Sequence, residues 1–322
     1  MTTMWGKWCA VAVAVLALTG AAEARELKVG ALKSGTVNWE LQTIRDKGFD
    51  KANGFDLTVT ELAGNPATQV AFQAGEVDTI VTDWLWVAQQ RAEGQDVVFI
   101  PFSTAVGGLM VKADSPVQTL ADLKGAKIGI AGGPVDKSWL ILRAYAQKEY
   151  GMDLAGQTEQ VFGAPPMIME AALSGEVGGA INFWHFMAKM KAKGMRQVVS
   201  VADAATALGL DPQTPLLGYV VKGDLVRDEP DLVDGLRKAS RQAKDLLVND
   251  DAAWDGLRPI MNAADDAEFT ALRDGWRAGV PATDAVDVAE VAKVFALMAE
   301  LGGAELVGKA TTLPDGVFLT AE

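Results

Sequence analysis

Apolar and polar positions change period repeatedly along the first third of the chain. Residues 27–32 (LKVGAL) and 55–62 (FDLTVTEL) carry the two-residue period of strands, and residues 38–47 (NWELQTIRDK) carry the spacing of a helix. The exchange continues with a helix over 66–75, opened by Gly64-Asn65-Pro66, where proline suits a first helical turn. A strand over 77–81, a helix over 84–93 and a strand over 97–102 follow. Strands separated by helices of this length indicate βαβ units and a mostly parallel sheet. After Gly107-Gly108 the run 109–116 (LMVKADSP) leads into a second series. Its strands are predicted over 126–130, 159–162, 177–182 and 196–200, and its helices over 137–150, 165–175 and 184–194. A strand-like run returns at 216–221 (LLGYVV), and 230–303 reads as three or four helices without a strand. The pattern predicts an α/β protein of two lobes. Residues 25–110 plus 216–322 would form lobe 1 with the C-terminal helices, and residues 111–215 lobe 2. The crossings would fall near 108–112 and 214–220.

The stretch 123–140 (LKGAKIGIAGGPVDKSWL) joins a short apolar strand, a Gly-rich turn and a helix start. Glycines permit close backbone approach, and the first turn of a helix presents unpaired N–H groups. Such a unit can hold a small molecule.

The N-terminus sets the compartment. Lys7 is a basic lead, 9–19 (CAVAVAVLALT) is an apolar run too short to span a bilayer, and Ala22-Glu23-Ala24 is a small-residue cleavage pattern. Residues 1–24 are therefore expected to be a signal peptide, and the protein to reside in the periplasm. The single cysteine, Cys9, lies inside that segment. The rest must fold without disulfides, which its length allows. A net charge of −13 argues against nucleic acid or an anionic membrane as partner.

Catalytic candidates are few. One histidine and no cysteine beyond residue 24 leave no Cys nucleophile and no Cys/His metal site, and His185 lacks a G-x-S-x-G partner. No cofactor and no metal are expected. The tryptophans say more. Trp39, Trp84, Trp86, Trp139 and Trp184 all fall at predicted strand-to-helix turns, whereas Trp254 and Trp276 fall on the C-terminal helices. In open α/β sheets such turns lie at the carboxyl ends of strands, where ligands bind. Polar groups converge on the same turns: Ser34, Thr36, Asn38, Asn65, Thr82, Asp83, Ser103, Gly133, Asp136, Lys137, Ser138, Asn182 and His185. Oriented polar groups among apolar walls are what a small-molecule site requires. These residues and the five turn tryptophans form the predicted ligand site.

Three segments carry a family resemblance: 27–35 (LKVGALKSG), 69–83 (QVAFQAGEVDTIVTD) and above all 115–133 (SPVQTLADLKGAKIGIAGG). Over roughly residues 26–222 the chain resembles the periplasmic substrate-binding proteins of ABC importers, in the branch serving nitrate, taurine, alkanesulfonates and thiamine-precursor pyrimidines. The resemblance implies a two-lobed periplasmic-binding-protein fold of type II-like form, a ligand trapped between lobes, no enzymatic step and an ABC permease in the inner membrane as partner. The chain departs from sulfonate-binding members after the Gly turn, where Pro134 removes a donor and Asp136 opposes an anion. Asp83 and two tryptophans occupy another turn. Aromatic walls beside a carboxylate suit a heterocycle or an amine at least as well as a sulfonate-like ligand. Rival readings are a periplasmic sensor for a membrane receptor and an exported enzyme on the same fold. Related pyrimidine synthases and porphobilinogen-polymerising enzymes need cysteines that this chain lacks beyond residue 24.

Overall fold

The computed structural model describes residues 25–319; the segment read as a signal peptide lies outside the described residues. Among the described residues there are ten strands: β1 (Arg25–Leu32), β2 (Phe55–Leu62), β3 (Thr79–Asp83), β4 (Val97–Ser103), β5 (Gly108–Val111), β6 (Lys127–Ala131), β7 (Glu159–Gly163), β8 (Gly179–Asn182), β9 (Arg196–Ser200) and β10 (Leu217–Lys222). They form two five-stranded sheets, ordered β2-β1-β3-β10-β4 and β7-β6-β8-β5-β9.

The two orders are the same pattern. Each sheet has a parallel trio, β2-β1-β3 or β7-β6-β8, built by βαβ crossovers. Beside the trio lies one strand received from the other lobe. β10 pairs antiparallel with β3 and β4, and β5 pairs antiparallel with β8 and β9. Each sheet is therefore mixed: four strands run the same way, as the βαβ pattern predicts, and the incoming strand runs against them. Gly108, Leu109 and Met110 belong to the second sheet, so the first crossing lies a few residues earlier than the sequence pattern placed it.

The crossing backbone is tied down by hydrogen bonds. Leu216 N donates to Ser103 O at 3.1 Å, and Thr104 N donates to Gly279 O at 2.9 Å. Gly107 is required where it stands, since a Cβ there would sit 2.1 Å from the Asn182 carbonyl oxygen.

The C-terminal helices touch both lobes. The Pro230–Asn249 helix covers the first sheet with the Val37–Lys47 helix. The Asp266–Ala278 helix packs on the Trp184–Ala192 helix of lobe 2, and the Val288–Val307 helix packs on both the Trp84–Ala92 and Lys137–Tyr150 helices. One buried cluster accordingly runs from Phe72, Ile80 and Trp84 through Phe295 and Met298 to Trp139 and Leu140. The Val201–Leu208 helix, capped by Ser200 accepting from Asp203 N at 2.9 Å, was not apparent in the periodicity.

Candidate functional site

At the carboxyl ends of the strands the lobes face each other across a cavity of about 230 Å³. Five chain turns wall it. After β1 come Gly35, Thr36 and Val37; after β2, Asn65; after β4, Ala105, Val106 and Gly107; after β6, Asp136, Lys137 and Ser138; after β8, Phe183, Trp184 and His185. Strand residues Leu32, Val81, Thr82, Asp83, Phe102 and Leu217, with Leu216 just before the last of these strands, complete the lining.

Two of the helices that abut the cavity are capped by their own carboxylates. Asp83 Oδ1 accepts from Trp86 N at 3.1 Å, and Asp136 Oδ1 accepts from Trp139 N at 3.1 Å. Each cap fills an N-terminal position otherwise open to an anion. Lys137 crosses from lobe 2 to lobe 1, donating from Nζ to Asp83 Oδ2 at 2.9 Å. Burial lowers the affinity of that ammonium for its proton, but the charge and hydrogen bond of Asp83 outweigh it and leave the pKa raised. Burial pushes the Asp136 carboxyl up to about 6, against the Trp139 amide and the Lys137 charge, which pull it down. His185 is depressed to about 4, by burial first and then by the Lys189 charge, and its buried Nδ1 has no partner among the described residues. At neutral pH it is an uncharged imidazole.

Behind the lobe 1 wall sits a buried ion pair. Glu40 Oε2 lies 2.9 Å from Lys244 Nζ, while Oε1 accepts from Tyr219 Oη at 2.8 Å and from Ser240 Oγ at 2.6 Å. The Lys244 ammonium stands 4.7 Å from the centroid of the Phe102 ring, which lines the cavity. This network fixes the wall and leaves no free charge there.

The residues 42–253 match the family described as NMT1/THI5 like. The chain belongs to that family. Among curated proteins no sequence matches the chain. Solved structures share its fold. The periplasmic aliphatic sulphonate binding protein SsuA of Escherichia coli aligns at a TM-score of 0.74 and 17% identity, over 93% of this chain and 94% of that one. The alkanesulfonate-binding protein SsuA of Xanthomonas axonopodis pv. citri, bound to MOPS, aligns at 0.66 and 19%, over 92% and 97%. The desulfurization enzyme DSZB aligns at 0.53 and 16%, over 91% and 97%. The two-lobed α/β architecture is thus that of the periplasmic binding proteins.

Against this lining, the sequence-derived site divides in two. Thr36, Asn65, Thr82, Asp83, Asp136, Lys137, Ser138, Trp184 and His185 all reach the one cavity. The remainder lie outside the lining. Ser34 is exposed away from the lining, and Asn38 Nδ2 closes its turn on Leu32 O at 2.9 Å. Ser103 Oγ donates to Gly279 O at 3.2 Å, and Asn182 Nδ2 donates to Pro165 O at 3.0 Å. Gly133 shapes the turn without lining the cavity.

The tryptophans are the largest correction. Trp39, Trp84 and Trp139 are core residues, and Trp86 faces a separate surface hollow beside Phe72. Of the five, Trp184 alone is in the cavity lining. Its ring meets Trp39 edge-on at 6.1 Å and also borders a wider groove of about 700 Å³ beyond Ala105 and Val106. Phe102 and Phe183 supply the other aromatic surface, with apolar walls from Leu32, Val81, Leu216 and Leu217. Phe102 and Leu217 were invisible as site residues because a strand-end apolar residue reads as core in sequence. Gly107 carried a signal, a Gly pair at a predicted crossing, that pointed to a close approach.

Among the described residues there is no group of three His, Cys, Asp or Glu side chains able to hold a metal ion, and no helix is long and apolar enough to cross a membrane.

Proposed function

We propose that the chain is the periplasmic solute-binding component of an ABC importer, holding a small organic solute between its lobes and delivering it to a permease in the inner membrane. The observation that carries this reading is the cavity itself. Both lobes line it, it lies at the strand ends where α/β folds bind ligands, and Lys137–Asp83 bridges it. The kinship with sulfonate-binding proteins of the same architecture and the N-terminal export pattern support the same conclusion. The solute would rest against Phe102, Phe183 and Trp184, with Thr36, Thr82, Asp136, Lys137, Ser138 and His185 fixing its orientation. Opening would occur at the two crossings, near Thr104–Gly107 and Gly209–Leu216, and the permease would read the closed, loaded form. No covalent step is needed.

A thermal-shift screen of the chain from residue 25, over amines, heterocycles and sulfonates, followed by calorimetry, tests the proposal. A ligand with a Kd below about 100 μM is expected. A broad screen without any such ligand overturns it. The fold shared with DSZB supports a second reading as an exported enzyme, and turnover of a bound compound by the purified protein would establish it.

A further inference from the structure

We infer that the cleft selects a positively charged solute, an amine or amidine on a small apolar body, and excludes sulfonates and other anions. This rests on the reading of the cleft as the solute site, and it turns on how the charges there are already spent.

Four ionisable side chains line the cavity: Asp83, Asp136, Lys137 and His185. The only cation among them, Lys137, is bound to Asp83 at 2.9 Å. His185 is neutral, and the nearby Lys189 is held by Glu268 at 2.5 Å. Lys244, behind Phe102, is held by Glu40. Each of these three ammonium groups therefore has a carboxylate partner. Asp136 has none. It accepts backbone N–H from Trp139, and no side chain donates to it among the described residues. Two carboxylates against one ammonium leave the lining with one negative charge in excess.

Helix starts do not reverse that sign. A helix N-terminus attracts anions through unpaired N–H groups, but here Asp83 and Asp136 occupy two of these positions from within the chain. At these two starts an anion would have to displace a cap; the starts of the Val37–Lys47, Asn65–Ala74 and Trp184–Ala192 helices carry no side-chain cap, and the excess carboxylate of the lining opposes an anion there. A cation would meet Asp136 in a water-poor site, where a charge-assisted hydrogen bond is strong. Thr36, Thr82 and Ser138, whose hydroxyls have no partner among the described residues, offer acceptors for its remaining N–H groups. Its apolar part would lie against Phe183 and Trp184.

Calorimetry on the chain from residue 25 at pH 7.5, with benzylamine, benzyl alcohol and benzenesulfonate and with the corresponding butyl series, tests the charge rule. Amines are expected to bind at least tenfold tighter than the alcohols, and the sulfonates not measurably. Asp136→Asn keeps a capping side chain, so the fold is retained, and it should reduce the amine preference at least tenfold. Asp83→Asn releases Lys137 and should admit the sulfonates. A wild-type protein that binds a sulfonate more tightly than its amine counterpart overturns the inference while leaving the solute-binding role intact. The same holds for an Asp136→Asn protein with an unchanged preference. Failure of every compound in the wider screen overturns the role itself.

Discussion

Trp84 and Trp184 occupy equivalent places in the two lobes. Each is the first residue of the helix that follows the third strand of its parallel trio, β3 or β8. Yet Trp84 is fully buried, against Phe318 at 6.1 Å, while Trp184 walls the cavity. The difference comes from what the rest of the chain lays over each position. The segment around Val317 and Phe318 pairs with Phe99 and closes over Trp84. Over Trp184 comes Gly275 of the Asp266–Ala278 helix, where a Cβ would lie 2.9 Å from the indole. A glycine there leaves the ring room beside the cleft. The two lobes differ in the same way one turn further along their first helices. The third residues, Trp39 and Trp139, are both buried, but the fourth is Glu40 in lobe 1 and Leu140 in lobe 2. One lobe has a buried ion pair where the other has plain apolar packing.

Removing the rings separates the two roles most sharply. Trp84→Ala should cost about 3–5 kcal/mol of stability in denaturant unfolding, as large-to-small core changes do. Trp184→Ala should cost clearly less, yet abolish solute binding by opening the cavity to the neighbouring groove. Equal stability losses would mean that both rings are core.

The ion pair gives the next largest effect. Glu40→Leu strands the Lys244 ammonium and should destabilise by about 3–5 kcal/mol, whereas adding Lys244→Met should recover most of that loss. A double variant as unstable as the single one would show that the pair itself, not the avoidance of a lone buried charge, holds this wall.

Acidity separates His185 from Asp136, with opposite signs. His185 has a folded value near 4 against the ordinary 6.5, so the unfolded chain takes up its proton first. Its contribution to stability is complete above pH 6.5 and is lost as the pH falls toward 4. Asp136 is raised from 3.8 to about 6, so ionising it penalises the folded state as the pH rises through that window. Melting curves of His185→Gln should therefore gain on the wild type from pH 7 to pH 5. Asp136→Asn should gain at pH 7 and lose that advantage by pH 4.

The smallest stability effect is expected at Gly275. Alanine improves helix propensity by about 1 kcal/mol, while its Cβ pushes the Trp184 ring aside. Gly275→Ala should change the melting temperature little and weaken solute binding several-fold.

Much of this architecture can be read from the chain. The alternation of periods marks the trios of both lobes, and nine of the residues predicted at the strand ends and turns line the cavity. Two things escape such reading. The strand direction of β5 and β10 depends on which lobe receives each crossing strand, which local periodicity does not encode. The fate of a turn tryptophan depends on partners far away in sequence: Phe318 for Trp84, the Val288–Val307 helix for Trp139, and Trp254 for Trp39. Asp83 and Asp136 were legible as charged turn residues, but the Lys137–Asp83 bridge spans 54 positions and two lobes.

The central claim is that a solute enters between the lobes and lies against Trp184. Tryptophan fluorescence, followed while titrating a compound that raises the melting temperature, tests it in the wild type, Trp184→Phe and Trp84→Phe proteins. A saturable change is expected that persists in Trp84→Phe and disappears in Trp184→Phe. A change that survives the loss of Trp184 undiminished would contradict it.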